Sequence, residues 1–201
     1  MKKKIIITGG LGYIGTELCK LYSGVSWHHK IIVIDNRFIS ERVNQIRNWN
    51  MEFIQGDILD KKLIKEYCEN ADVIHHLAGI TDVPRTKSES SDAQDEKIKE
   101  VGKIGTQNIL DVISDKCKII FPSTHVVYEG INEVKTNITE NEETKPVLSY
   151  STSKAINEKQ LKKSGKNFVI LRLGSVYGYS TDSMRIDIMP NLFSKIASQN
   201  G

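Results

Sequence analysis

Short apolar runs alternate with longer stretches in which apolar residues recur every three or four positions. The runs predict strands near residues 4–8, 30–35, 51–55, 72–77, 117–121 and 167–173, and the longer pattern predicts helices near 13–23, 60–69, 95–114 and 149–164. Strands apolar throughout, such as Ile5-Ile6-Ile7 and Ile31-Ile32-Val33-Ile34, suit burial on both faces. Their alternation with helices implies βαβ units, hence an α/β fold with a parallel sheet covered on both sides. Residues 84–97, rich in Ser, Lys, Asp and Glu, predict a polar, mobile loop leading into the long helix. Glu66, Glu69, Lys97, Lys99, Glu100 and Lys103 read as solvated helix faces. No internal repeat or low-complexity linker interrupts the rhythm.

At 201 residues the chain can bury one good-sized core and the beginning of a second. Its net charge of +3 is too small and too scattered to imply nucleic acid. The basic run Lys2-Lys3-Lys4 is followed by no apolar segment of signal type, and nothing approaches the ~20 apolar residues needed to span a bilayer. A soluble, cytoplasmic protein with no membrane partner is expected. Cys19, Cys68 and Cys117 are odd in number and far apart, which suits reduced core thiols. His75 and His76 are strand neighbours pointing to opposite faces, so no metal site is expected there.

Candidate chemistry begins directly after the first strand, with Thr8-Gly-Gly-Leu-Gly-Tyr-Ile-Gly15, and continues at Asp35, which closes the second. Strand, glycine turn, helix, strand and terminal carboxylate, in that order, spell a dinucleotide site. Gly9 and Gly10 allow the sharp turn, Gly12 lets a pyrophosphate approach the main chain, and Gly15 lets the helix pack on the sheet. Asp35 would accept hydrogen bonds from ribose hydroxyls and repel a 2′-phosphate, which points to NAD over NADP; Arg37, two residues on, could soften that preference. Further along, Tyr150 and Lys154 stand four residues apart on a predicted helix and project from one face. A phenol acting as a base near neutrality needs its pKa of about 10 lowered by roughly three units, and a neighbouring ammonium is one source of that shift.

With these motifs in place the chain resembles the extended short-chain dehydrogenase/reductase family, the nucleotide-sugar epimerases and dehydratases. The resemblance rests on TGGLGYIG at 8–15, VID at 33–35, GDI at 56–58, VIHHLAG at 73–79, PSTHVVYE at 122–129, YSTSK at 150–154, LRLGSVYG at 171–178 and MRIDIMPNL at 184–192. It implies a Rossmann-type doubly wound parallel sheet over residues 1–178 that binds NAD, with 179–201 as only the beginning of a smaller, truncated C-terminal substrate domain. Gly9, Gly12, Tyr13, Ile14 and Gly15 would line the cofactor's pyrophosphate side, and Asp35 and Asn36 its ribose. Asp57 and Ile58 would contact the adenine, although Asp57 could instead cap the helix starting near Asp60. Leu77, Ala78 and Gly79 would line the cofactor's centre. Thr124 would hydrogen-bond a substrate hydroxyl, unless it is an ordinary strand-end threonine, and Tyr150 would take the proton. Lys154 would hold the nicotinamide ribose and depress the Tyr150 pKa. Asn191 would touch the nucleotide-sugar's diphosphate side, a place a helix N-cap explains almost as well. Tyr128 and Tyr177 read as packing residues.

The resemblance further implies a homodimer through the helices near 95–114 and 149–164, where Ile98, Val101 and Ile104 form an apolar stripe that could equally face the sheet. It implies a reaction of the UDP-glucose 4-epimerase type: a sugar hydroxyl is oxidised by hydride transfer to bound NAD and then reduced on the other face. A nucleotide-sugar dehydrogenase or reductase is the alternative, as is a non-catalytic NAD-binding regulatory or scaffold protein. Gly102 stands where the family usually carries Asn, Glu129 where it carries Gly, and Tyr179 where it carries Pro. His125-Val126 follows Thr124 where dehydratases carry an Asp-Glu pair, which disfavours dehydration. The family continues for roughly a hundred further residues, so an end at Gly201 suggests a truncated chain.

Overall fold

The computed structural model describes residues 2–81, 91–180 and 184–200. Six parallel strands, β1 (Lys4–Thr8), β2 (Lys30–Asp35), β3 (Glu52–Gln55), β4 (Val73–His76), β5 (Lys118–Thr124) and β6 (Asn167–Leu173), lie in the order β3-β2-β1-β4-β5-β6. The helices are α1 (Tyr13–Ser23), α2 (Ser40–Asn48), α3 (Lys61–Cys68), α4 (Asp92–Val112), α5 (Ser149–Lys163) and α6 (Met189–Asn200). The order reverses between β1 and β4, which opens a crevice at their C-terminal ends. This is the expected Rossmann-type doubly wound sheet.

The apolar strands do serve two cores. Ile5, Ile7, Ile31 and Val33 pack with Leu11, Cys19, Val43 and Ile46 on the α1–α2 face. Ile6, Ile32, Ile74, Ile119 and Phe121 pack with Ile64, Ile109 and Leu161 on the α3–α5 face. The three cysteines are free and buried within these cores, and burial pushes their thiols up, to about 12 for Cys19 and Cys68 and about 11 for Cys117. Among the described residues no helix is long and apolar enough to cross a membrane, and no His, Cys, Asp and Glu cluster could hold a metal.

Differences from the sequence expectation have local causes. Helix α4 begins at Asp92 rather than near 95, because the Ser91 hydroxyl accepts from Gln94 N at 3.4 Å and Asp92 and Asp95 occupy the first turn. Residues 84–90 of the expected polar loop lie outside the described residues. Strand β5 runs through Pro122 to Thr124, past the point predicted. Its pairing with β4 stops at Ile120, so the missing Pro122 amide falls where only β6 remains alongside. Helices α2 and α6 were not predicted: α2 buries only Arg42, Val43 and Ile46, and α6 leaves Met189, Phe193 and Ile196 exposed.

Candidate active site

The chain leaves β1 through Gly9 in the left-handed region, at φ +71. A side chain there would strike the Ala78 backbone at 2.7 Å, and one at Gly15 would meet Gly9 O at 2.4 Å, so the turn is wedged between β4 and α1. At Gly12 a Cβ would meet Gly9 O only at 3.2 Å, with the Arg37 guanidinium at 3.9 Å, which makes this the open side of the turn. Gly12 caps α1 without a side-chain hydrogen bond, so the first amides of that helix are left for an anion. This open cradle fits a pyrophosphate. Ile14 is partly exposed beside it. The Tyr13 hydroxyl donates to Gly178 O, and the buried Ser180 hydroxyl donates to Glu17 at 2.6 Å. The loop after β6 is thereby fastened to α1.

At the end of β2 the buried Asp35 carboxylate accepts from Leu11 N at 3.0 Å, Arg37 N at 3.1 Å and Arg37 Nε at 3.2 Å. Asn36 donates to Asp57 at 3.0 Å, and Asp57 also accepts from Leu59 N at 2.9 Å. Helix α3 is capped by Asp60, which accepts from Lys62 N and Leu63 N, so capping is not the role of Asp57. Ile58 is buried: it fills the space a Cβ at Gly105 would take, and its carbonyl accepts from Asn108. Its side chain therefore belongs to the core rather than to a ligand surface. After β4, Leu77 N and Ala78 N donate to the Thr8 carbonyl and hydroxyl, and Gly79 borders open space.

The neighbouring histidines face opposite ways, as strand geometry requires. His75 bonds the Tyr22 hydroxyl at 2.8 Å, while His76 bridges Thr8 and Thr106 at 3.0 Å each. Burial, aided by the Lys154 charge, pushes His76 down to about 3 and keeps it neutral.

Lys154, with Tyr150 one turn before it on α5, reaches the last residues of β5, the strand that ends in Thr124. Thr124 caps the 3₁₀ turn His125–Tyr128 by accepting from Val126 N at 3.3 Å. Lys154 donates to Pro122 O at 2.8 Å and stands 4.5 Å from the Phe121 ring centre and 5.9 Å from that of Tyr150. Burial moves its amine down to about 8. Tyr150 does not follow the expected direction: burial raises its phenol above the ordinary value and outweighs the lowering by Arg185. The Lys154 ammonium is turned toward the Pro122 carbonyl and Phe121, so it is not the group that governs the phenol here.

Three departures from the family pattern have a visible place. A Cβ at Gly102 would lie 2.2 Å from Ser153 Oγ, so the bare backbone lets α4 and α5 touch beside Lys154, and Asn157 donates to the Gly102 carbonyl at 2.9 Å. Glu129 accepts from Val147 N at 2.8 Å, Leu148 N at 2.7 Å and the Ser151 hydroxyl at the start of α5. Tyr179 is 81% exposed. Tyr128 packs as expected, under the Arg172 guanidinium, but Tyr177 is exposed. Asn191 lies inside α6 rather than at its cap; it is buried, accepts from Gly178 N at 3.0 Å and donates to Arg185 O at 2.8 Å. Of the expected apolar stripe, Ile98 is buried and Val101 packs on the core, leaving Ile104 exposed.

Sequence reasoning missed the pair beneath the site. Glu158 on α5 takes a two-pronged hydrogen bond from Arg172 on β6, at 3.0 and 2.6 Å, and a third from Ser123 at 2.6 Å. The available signal was Arg172 inside the apolar run of β6, since a charge there demands a partner.

The sequence profile of the NAD dependent epimerase/dehydratase family matches residues 5–200. The chain is similar to the dTDP-D-glucose 4,6-dehydratase of Dictyostelium discoideum, with 29% identity over 88% of this chain and 44% of that protein. It is 34% identical to the CDP-paratose 2-epimerase of Salmonella typhi over 68% of this chain and 41% of that protein. Among solved structures, UDP-glucose 4-epimerase from Brucella ovis in complex with NAD superposes with a TM-score of 0.71 at 26% identity, over 89% of this chain and 54% of that one. The chain thus spans about half the length of the relatives it matches.

Proposed function

Because the chain belongs to the NAD dependent epimerase/dehydratase family, we propose that it holds NAD in the crevice at the C-terminal ends of β1, β2 and β4 and epimerises a nucleotide sugar. The observation that carries this reading is Lys154 beside the Tyr150 ring and bonded to Pro122 O, two residues before Thr124 at the C-terminal end of β5, in the same sheet whose β1 ends in the open glycine turn. The α1 amides beyond Gly12 would take the pyrophosphate, Asp35 the ribose hydroxyls, and the segment Leu77-Ala78-Gly79 the middle of the cofactor. When bound, NAD supplies the reversible acceptance of hydride. Thr124 would orient the sugar hydroxyl by donating its own proton or accepting one. Tyr150 would take the hydroxyl proton and return it, with Lys154 fixing the nicotinamide ribose.

Dehydration is a poorer reading, since His125 bonds Leu173 O and Val126 is apolar, leaving no acid and base pair after Thr124. Epimerisation also leaves the cofactor's redox state unchanged, unlike a dehydrogenase reaction. The test is to load the protein with NAD, supply a panel of UDP-, dTDP- and CDP-sugars, and follow sugar stereochemistry by NMR together with NADH absorbance. Interconversion without net NADH is expected. NADH accumulating in step with sugar would make the protein a dehydrogenase, and NAD binding without any turnover would favour the scaffold reading. A cytoplasmic location fits the three free thiols. A homodimer through α4 and α5 is part of the proposal, and a concentration-independent monomer mass in sedimentation would remove it.

A further inference from the structure

Helix α5, which carries Tyr150 and Lys154, starts without a cap of its own: its N-cap residue is Leu148, whose side chain has nothing to offer a backbone N–H. Glu129, nineteen positions before Leu148, instead holds the residues that lead into the helix and one hydroxyl of its first turn. One carboxylate oxygen of Glu129 collects Val147 N at 2.8 Å, Leu148 N at 2.7 Å and the Ser151 hydroxyl, which flanks Tyr150. Glu129 sits at the end of the 3₁₀ turn that Thr124 caps, so a single side chain joins the Thr124 segment to the first turn of α5. The backbone on either side is zipped in the same sense, with Lys145 N bonding Val127 O and Gly130 N bonding Lys145 O, each at 2.8 Å. Burial works to raise the Glu129 pKa, but the bonds from Leu148, Ser151 and Val147 outweigh it and hold the group below the ordinary carboxylate range. A second carboxylate, Asp95 on α4, accepts from the Ser149 hydroxyl and steadies the other side of the same turn.

We propose that Glu129 is a positioning residue: its carboxylate fixes the first turn of α5 against the β5 end and thereby sets the placement of the Tyr150 phenol relative to Thr124. The proposal rests on the epimerase reading for its effect on turnover, but the geometry can be tested without it. Glu129→Ala is expected to lower kcat by roughly tenfold to a hundredfold, the scale of a small misplacement of a reacting group, with NAD affinity within about twofold of the parent. The Val147 and Leu148 amides should exchange with solvent about tenfold faster, while β1 and β4 keep their protection. In the NAD-loaded protein the Tyr150 phenol, read as the tyrosinate absorbance lost in Tyr150→Phe, should titrate at lower pH in Glu129→Ala because the ring gains water. Glu129→Gln keeps an acceptor at the same place and should recover most of the kcat and the titration. Ser151→Ala should show a smaller effect that does not add to that of Glu129→Ala. Unchanged kcat and phenol titration in Glu129→Ala would overturn the proposal. So would an equal loss of NAD affinity and turnover, which would make Glu129 a support of the fold at large. If the parent protein turns over no sugar while exchange and titration shift as described, the epimerase reading fails and the positioning role stands.

Discussion

Lys154 is 8% exposed and its amine titrates near 8, lowered by burial, so the charge it is expected to lend to catalysis sits where the fold resists it. Between pH 8 and the ordinary lysine value of about 10.4 the unfolded chain holds a proton that the folded chain has released. Stability should therefore rise with pH through that window relative to Lys154→Met, by about 3 kcal/mol in all. Denaturant unfolding of both proteins at the two ends of the window measures it; parallel curves would refute it. In the same pocket Tyr150→Phe keeps the ring and should leave NAD affinity nearly unchanged, while hydride transfer falls by ~10²- to 10⁴-fold. Lys154→Met should reduce both, as read by calorimetry and single-turnover absorbance. At the other end of the crevice the Asp35 carboxylate would accept from ribose hydroxyls and disfavour a 2′-phosphate, although the Arg37 guanidinium bonded to it offsets part of its charge. NAD should bind more tightly than NADP, and equal affinities by calorimetry would sink the assignment.

Between elements, α4 meets α5 at Gly102, where a Cβ would lie 2.2 Å from Ser153 Oγ. Gly102→Ala would drive a methyl into Ser153 Oγ and should cost about 1–3 kcal/mol through overpacking. Removing that oxygen relieves the clash, so Ser153→Ala should recover part of the loss in the double variant, and strict additivity would show that the two helices do not meet there. The same contact explains what the sequence left illegible. Strands and long helices announce themselves through apolar runs such as Ile31–Ile34, and the glycine turn through a backbone shape and close contacts that only glycine tolerates. The partners of Glu129, Glu158 and Asp95 carry no such signature, because hydrogen bonds between residues 14 to 54 positions apart depend on how elements dock. Helices α2 and α6 escaped for a related reason: each offers too few buried apolar positions to form a stripe. The burial of the Ile58 and Asn191 side chains was not legible either, because motif position says nothing of which way a side chain turns.

For the molecule as a whole, acid is the expected weakness. His76 ties β1 to α4 as a neutral ring with both nitrogens bonded, and burial followed by the Lys154 charge holds it near 3. Below the ordinary histidine value of about 6.5 the unfolded chain gains a proton that the folded chain refuses, so stability falls as the pH drops from there toward 3. His76→Asn should flatten that part of the stability curve, and an unaltered slope in urea titrations would exclude His76 as its source. The latch between α1 and the loop after β6 carries a different consequence, one of timing. Tyr13 bonds Gly178 across 165 positions and Glu17 bonds Ser180 across 163. A chain made from its N-terminus therefore produces the glycine turn long before its fastening, so the crevice of the nascent protein stays unlatched until the loop beyond β6 has been synthesised and has docked.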